Sequence, residues 1–240
     1  MRFIACVFLA LHCLVAFPAA TPALLAPIQY KQSVNGTLAP QSNFALELKG
    51  VIRQIPVGSI EKLVQKYLLN DVEFQGLIRT INSIPAYQFY RQIVSQPEVR
   101  QLQLWIAQQL ILSGGSSKIF EYLELEIKII NKYPFWSQVV NGIRGFETEF
   151  AQIYPVEVIR SLLEPSAIQT SPLLSELWRR LVALLPVYER ILATPSGQAV
   201  TAQLNRLGVD VGGLDNLIRY QFGWSNSTYS SPDYSNYLWY

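Results

Sequence analysis

Two acidic clusters carry the residues best suited to acid–base chemistry. "EYLELE" brings Glu121, Glu124 and Glu126 close together, and "FETEF" holds Glu147 and Glu149. Paired carboxylates can divide the roles of general acid and general base, or hold a hard divalent cation. Their setting points to a plainer role. Glu121 and Glu124 stand at i and i+3 on a helical pattern whose other side carries Phe120, Leu123 and Ile127, as on a solvated helix face. A further stretch, Gly114-Gly115-Ser116-Ser117-Lys118, has the composition of a phosphate loop. It lacks the preceding strand and the full spacing, and it reads as a break between helices.

What the chain lacks says more. Its one histidine, His12, its two cysteines, Cys6 and Cys13, and its one methionine, Met1, all fall at the N-terminal end. That end has the form of an export signal. Arg2 supplies a short positive region, "FIACVFLALHCLVAF" an apolar stretch and "PAA" the small residues for cleavage at Ala19 or Ala20. Pro18 and the short run argue against a membrane anchor. With residues 1–20 removed, no His, Cys or Met is left. A Ser-His-Asp triad, a Cys-His nucleophile, an N/S zinc site, a thiolate haem ligand and a disulfide are all excluded. The expectation is a secreted protein that is not an enzyme, with no catalytic residue, no metal and no cofactor.

The net charge of +2 becomes +1 once Arg2 is lost, which leaves no electrostatic footprint for nucleic acid. Charged residues make up 15 % of the chain, against about 25 % in ordinary soluble domains. Mean hydropathy is +0.19. A soluble chain this apolar must bury many side chains or cover them with something else. Beyond the export signal, no segment approaches the ~18 uncharged apolar residues of a membrane span. Asn35-Gly36-Thr37 and Asn226-Ser227-Thr228 are candidate N-glycosylation sites, Asn35 and Asn226 being the acceptors.

The elements that position these residues are helical. Ile60, Leu63, Val64, Tyr67 and Leu68 recur on one apolar face. Phe74, Leu77, Ile78 and Ile81 form a second, and Leu174, Leu177, Trp178, Leu181 and Leu185 a third. Ile119, Phe120, Leu123, Ile127 and Ile130 form a fourth. Start signals accompany them. Ser95 with Glu98 offers a capping box, Thr194-Pro195 a cap with proline behind it, and Asn70 or Asp71 a cap for the helix of Phe74. Gly114-Gly115 and Gly212-Gly213 punctuate between helices. The fold class is all-α. Residues 21–45 read as an N-terminal arm or propeptide, and residues 226–240 as a Tyr-rich polar tail.

The helical pattern occurs twice. "PVGSIEKL" at 56–63 returns as "PVEVIRSL" at 155–162, and Pro85, Tyr87, Pro97, Gly114 and Gly115 meet Pro186, Tyr188, Pro195, Gly212 and Gly213 in the same order. This reads as two divergent multi-helix repeats, residues 46–145 and 146–225, each longer than a common helical solenoid repeat. Two such units pair most simply about a pseudo-twofold axis, with each proline starting its helix and Ile60, Leu63, Ile159 and Leu162 turned inward.

Residues 52–83, "IRQIPVGSIEKLVQKYLLNDVEFQGLIRTINS", resemble the opening of the insect allergen-related repeat. "PAYQFYRQIVSQPEVRQLQLWI" and "LGVDVGGLDNLI" (207–218) are similar to that family too, so the likeness extends over residues 46–224. The family includes group 1 cockroach allergens, midgut microvillar proteins and nitrile-specifier proteins. The second copy departs from it where "LLEPSAIQTSPLLSEL" replaces "YLLNDVEFQGLI", around Pro165 and Pro172. The resemblance implies a helical capsule around a large apolar cavity that holds fatty acids or phospholipids. The stripes themselves fit a filled core equally well, and Trp105, Trp136, Trp178 and Phe120 have the character of core residues.

Under the family reading, the cavity candidates are Ile60, Leu63, Val64, Leu77, Ile81, Trp105, Phe120, Leu123 and Ile127 in the first copy. In the second they are Ile159, Leu162, Leu177, Trp178, Leu181, Leu185, Leu217 and Ile218. Binding there would be driven by apolar area and would discriminate poorly between head groups. The leading functional expectation is a secreted, non-enzymatic carrier of fatty acids or phospholipids in the insect digestive tract. The alternatives are a detoxification protein of the nitrile-specifier type and a structural protein of the gut lining with peripheral membrane association.

Overall fold

The computed structural model describes residues 43–115, 119–120, 140–165 and 171–225. Residues 1–42, both sequons, the cluster Glu121, Glu124 and Glu126, the candidates Leu123 and Ile127, Trp136 and the tail 226–240 lie outside them. The described residues are helical and contain no strand.

In chain order the helices of the first half are α1 (Phe44–Arg53), α2 (Val57–Asn70), α3 (Val72–Ile81), α4 (Ile84–Ser95) and α5 (Pro97–Leu112). Those of the second half are α6 (Gly142–Ile153), α7 (Val156–Leu163), α8 (Pro172–Val182), α9 (Leu185–Leu192), α10 (Pro195–Arg206) and α11 (Val211–Gln221). Phe44 stands against Gly142, Val57 against Val156, Val72 against Pro172, Ile84 against Leu185 and Pro97 against Pro195. The helix starts therefore recur at spacings of 98 to 101 residues.

The two echoed prolines act alike in detail. Pro56 has φ −80° and ψ 64°, Pro155 φ −83° and ψ 67°. The Val57 N–H donates to the Ile55 carbonyl at 2.8 Å, and the Val156 N–H to the Tyr154 carbonyl at 2.9 Å. Each is an inverse γ-turn that sets the direction of the next helix. The prolines thus sit one residue before their helices rather than at the first helical position.

Other boundaries follow local chemistry. Asp71 is extended and its Oδ1 accepts from the Phe74 N–H at 2.7 Å, which caps α3. Ser171 caps α8, and Thr194 caps α10 ahead of Pro195. The Ser95–Glu98 capping box does not form. Ser95 is the last residue of α4 and its hydroxyl donates back to the Gln92 carbonyl, while Glu98 accepts from Arg190 at 3.1 Å. Gly212 and Gly213 do not separate helices either. They lie in the first turn of α11, where a Cβ on Gly213 would come within 2.6 Å of the Asp210 carboxylate that caps the helix. The break falls earlier, at Gly208, whose φ is +82°.

Helix α1 begins at Phe44, inside the segment expected to be a loose arm. Phe44, Leu48, Val51 and Ile52 form a buried stripe at i, i+4, i+7 and i+8. The boundary expected between residues 145 and 146 falls inside α6.

The first helix of each half packs on the other half. Helix α1 lies against α7 and α8, and α6 lies against α2 and α3. One core joins the halves through this exchange, from Phe44 to Phe222. Along the side formed by α2, α3 and α6 it is aromatic. Phe146 meets Phe74 at 4.6 Å and Tyr67 at 5.5 Å between ring centroids, and Phe150 stacks on Tyr154 at 5.3 Å. A smaller cluster of Val99, Val187 and Ile191, with Phe89, Ile93 and Leu184 beside it, forms where α4 crosses α9 and α10.

Candidate functional site

The acidic pair of "FETEF" divides between two unrelated contacts. Glu149 on α6 accepts from Lys66 Nζ at 2.8 Å and from the Tyr67 hydroxyl at 2.7 Å, both on α2. Burial works to raise its pKa, but the hydrogen bonds from Lys66 and Tyr67 outweigh it and hold the carboxyl below its ordinary value. Glu147 accepts from the Asp210 backbone N–H at 2.9 Å and pairs with Arg144 at 3.4 Å. Burial pushes its pKa up. The two carboxylates pin α6 to α2 and to the start of α11. Among the described residues no three His, Cys, Asp or Glu side chains group to hold a metal ion.

The open space lies elsewhere. A half-open cavity of about 640 Å³ is enclosed mainly by α9, α10 and α11. Val187, Tyr188 and Ile191 come from α9, Val200 and Leu204 from α10, and Val211, Leu214 and Ile218 from α11. Leu181 of α8 and Phe222 close its inner side, and Phe89, Ile93 and Val99 of the first half reach its edge. Trp224 folds over the rim. Its Nε1 donates to the carbonyls of Leu181 and Val182 at 3.1 Å, and its ring packs on Tyr188 at 5.0 Å and Phe222 at 5.2 Å.

Gly223 makes that fold-over possible. Its φ is +69°, and a Cβ there would come within 2.4 Å of the Trp178 ring. At the polar end the Tyr188 hydroxyl donates to Asp215 Oδ1 at 2.7 Å, and Arg219 Nε donates to Asp215 Oδ2 at 2.9 Å. Hydrogen bonding to Asp215 is the largest of the influences that raise the Arg219 pKa.

Of the sequence candidates, Leu181 and Ile218 line this cavity. Ile60, Leu63, Val64, Leu77, Ile81, Phe120, Ile159, Leu177 and Trp178 are buried in the main core. Trp105 packs on that core, edge-on to Phe44 at 5.5 Å and under the Arg180 guanidinium. Leu217 is buried outside the cavity lining and Leu185 is half-buried. Leu162 does not turn inward. It is 39 % exposed, whereas Leu163 is 4 % exposed. In the eight-residue α7 the buried face runs through Ile159, Arg160 and Leu163, so Leu162 points away. Leu185 does not continue the face of Leu174 and Leu181, because α8 ends at Val182 and α9 starts anew with Pro186 in its first turn.

The cavity residues missed from sequence had a readable signal. Val211 and Leu214 precede the candidate Ile218 at i, i+3 and i+7, a stripe rotated from Leu217. Val200 and Leu204 repeat at i and i+4 on α10. Arg160 was also missed. Buried between α7 and the C-terminal segment, its Nη1 donates to the carbonyls of Tyr220 at 3.0 Å and Ser225 at 3.2 Å, and it lies over the Tyr220 ring at 4.1 Å.

A family model described as insect allergen related repeat, nitrile-specifier detoxification, matches residues 43–215. The match takes in most of the chain, and the chain belongs to this family. No curated protein and no solved structure gave a match.

Proposed function

We propose that this protein is a secreted, non-enzymatic carrier of acyl lipids, fatty acids or phospholipids, in the insect digestive tract. The observation that carries the reading is the apolar cavity between α9, α10 and α11. At about 640 Å³ it falls within the roughly 300–1,000 Å³ of small-molecule sites, and its walls are mostly Leu, Ile, Val and aromatic side chains, with Gln198, Thr201, Asn205 and Asp215 as the polar members. An acyl chain there gains apolar burial, about 0.8 kcal/mol per buried methylene. The recurring helix starts and the exchanged α1 and α6 support a capsule of two half-shells. The export signal read from residues 1–20 supports secretion, with Asn35 and Asn226 as glycan acceptors.

The test is organic extraction of the purified protein with mass spectrometry, together with titration of a fluorescent fatty acid. The expected result is co-purifying acyl lipid and saturable uptake, lost when Leu214→Arg places a charge in the cavity. No lipid and no uptake would remove the reading.

The family description favours one further reading, a nitrile-specifier type of detoxification. Glucosinolate treated with myrosinase in the presence of the protein distinguishes it. An unchanged ratio of isothiocyanate to nitrile rules that reading out.

A further inference from the structure

Behind the cavity lies a second, much smaller void of about 30 Å³. Leu48, Val51, Ile52 and Ile55 border it from the first half, and Ile159, Leu163 and Leu177 from the second. Every residue around it is buried. It holds space for no more than about a water molecule, and nearly all its walls are apolar. The two linings share two residues, Leu181 and Phe222. These side chains are therefore a partition, with the half-open cavity on one side and the space between the halves on the other.

The partition is thin and braced from the cavity side. Trp224, itself in the cavity wall, packs on the Phe222 ring and is hydrogen-bonded to the backbone carbonyl of Leu181, so one residue steadies both positions. Leu181 is on the last turn of α8, and Phe222 is the residue that follows α11. A straight alkyl chain entering by the open side, if it ran past the partition, would displace one of them toward a void too small to receive it.

We infer that Leu181 and Phe222 are the depth stop of the lipid site and set the longest alkyl chain it accepts in full. This rests on the carrier reading and adds its specificity determinant. Each methylene buried before the stop raises affinity by about fourfold, the equivalent of about 0.8 kcal/mol, and methylenes beyond it raise it little.

The experiment displaces a fluorescent alkyl probe with a homologous series of straight-chain alcohols, lengthened one methylene at a time, against the full chain. For the wild type, affinity is expected to climb and then level off. In Leu181→Ala and Phe222→Ala the plateau shifts to chains at least two carbons longer, because the outer cavity and inner void join. Leu181→Val removes a single methylene and covers the case where either truncation fails to fold. The same shift, smaller, is expected of it. Leu77→Ala, equally buried but bordering neither void, should keep the wild-type plateau.

Folded variants that level off at the wild-type length would overturn the depth stop and leave the carrier reading standing. A wild-type protein that binds no member of the series would overturn both.

Discussion

The two places where a helix crosses from one half to the other are built alike and filled differently. Helix α6 delivers Phe146 onto Tyr67 and Phe74, with Phe150 stacked on Phe146, and these rings fill the contact between α6, α2 and α3. Helix α1 delivers Leu48, Val51 and Ile52 onto Ile159, Leu163 and Leu177. There the aliphatic side chains leave the small void, and beyond Leu181 the large cavity begins. The same exchange thus meets a cluster of rings on one side and, on the other, mostly aliphatic side chains with Phe120 and Phe222 around a small void. Close packing is the default for protein interiors, so the porous side is the one that needs a function.

The sharpest way to break this contrast is Phe74→Ala. A solid aromatic interior that cannot collapse should lose about 3–5 kcal/mol in urea unfolding, with lipid affinity of the folded fraction unchanged. A loss under about 1 kcal/mol would mean that this side is loose too.

A smaller effect comes from acid. The folded-state pKa of Glu149 is depressed, so its contact with Lys66 and Tyr67 contributes fully above the ordinary carboxylate value of 4.5 and is lost as pH falls through the depressed value. Glu147, with a raised pKa, acts in the opposite sense, losing its contribution as pH rises through its folded value. Glu149→Gln should flatten the acid branch of a stability–pH profile below pH 4.5, by about 1 kcal/mol or less, since the carboxylate is partly exposed. Glu176, held at about 2 by Arg179 and Arg180, leaves a residual acid slope in that variant.

The smallest effect tests the porous side. Val51→Ile adds one methyl group beside the 30 Å³ void and should raise stability by under about 1 kcal/mol in the same urea assay. Destabilisation would show that the void is not usable space.

Much of the scaffold was legible in the residues. Asp71, Thr194-Pro195 and the two PV phrases mark helix starts because their chemistry is local: a side-chain acceptor or a fixed φ acts within a few residues. The stripes of α2, α3 and α8 were legible because burial follows the helical period. Ser95–Glu98 misled because the continuing α4 helix offered Ser95 its own Gln92 carbonyl. Leu162 misled because the echo with Leu63 aligns residues, whereas the shorter α7 turns its buried face through Leu163. Whether a stripe fills a core or lines a cavity was not legible. That depends on what arrives from the other half, Phe146 at one site and Val51 at the other, and no local pattern encodes it.

Gly223 gives the porous side a particular fragility. It combines a left-handed backbone with a ring face in the place where a side chain would begin. Every possible replacement adds a Cβ, so random change in the coding sequence has no mild outcome at this codon. One position thus joins the end of α11, the Trp178 ring and the Trp224 cover of the rim into a single mutational target. A saturation library scored for lipid retention should show it as a column with one tolerated residue.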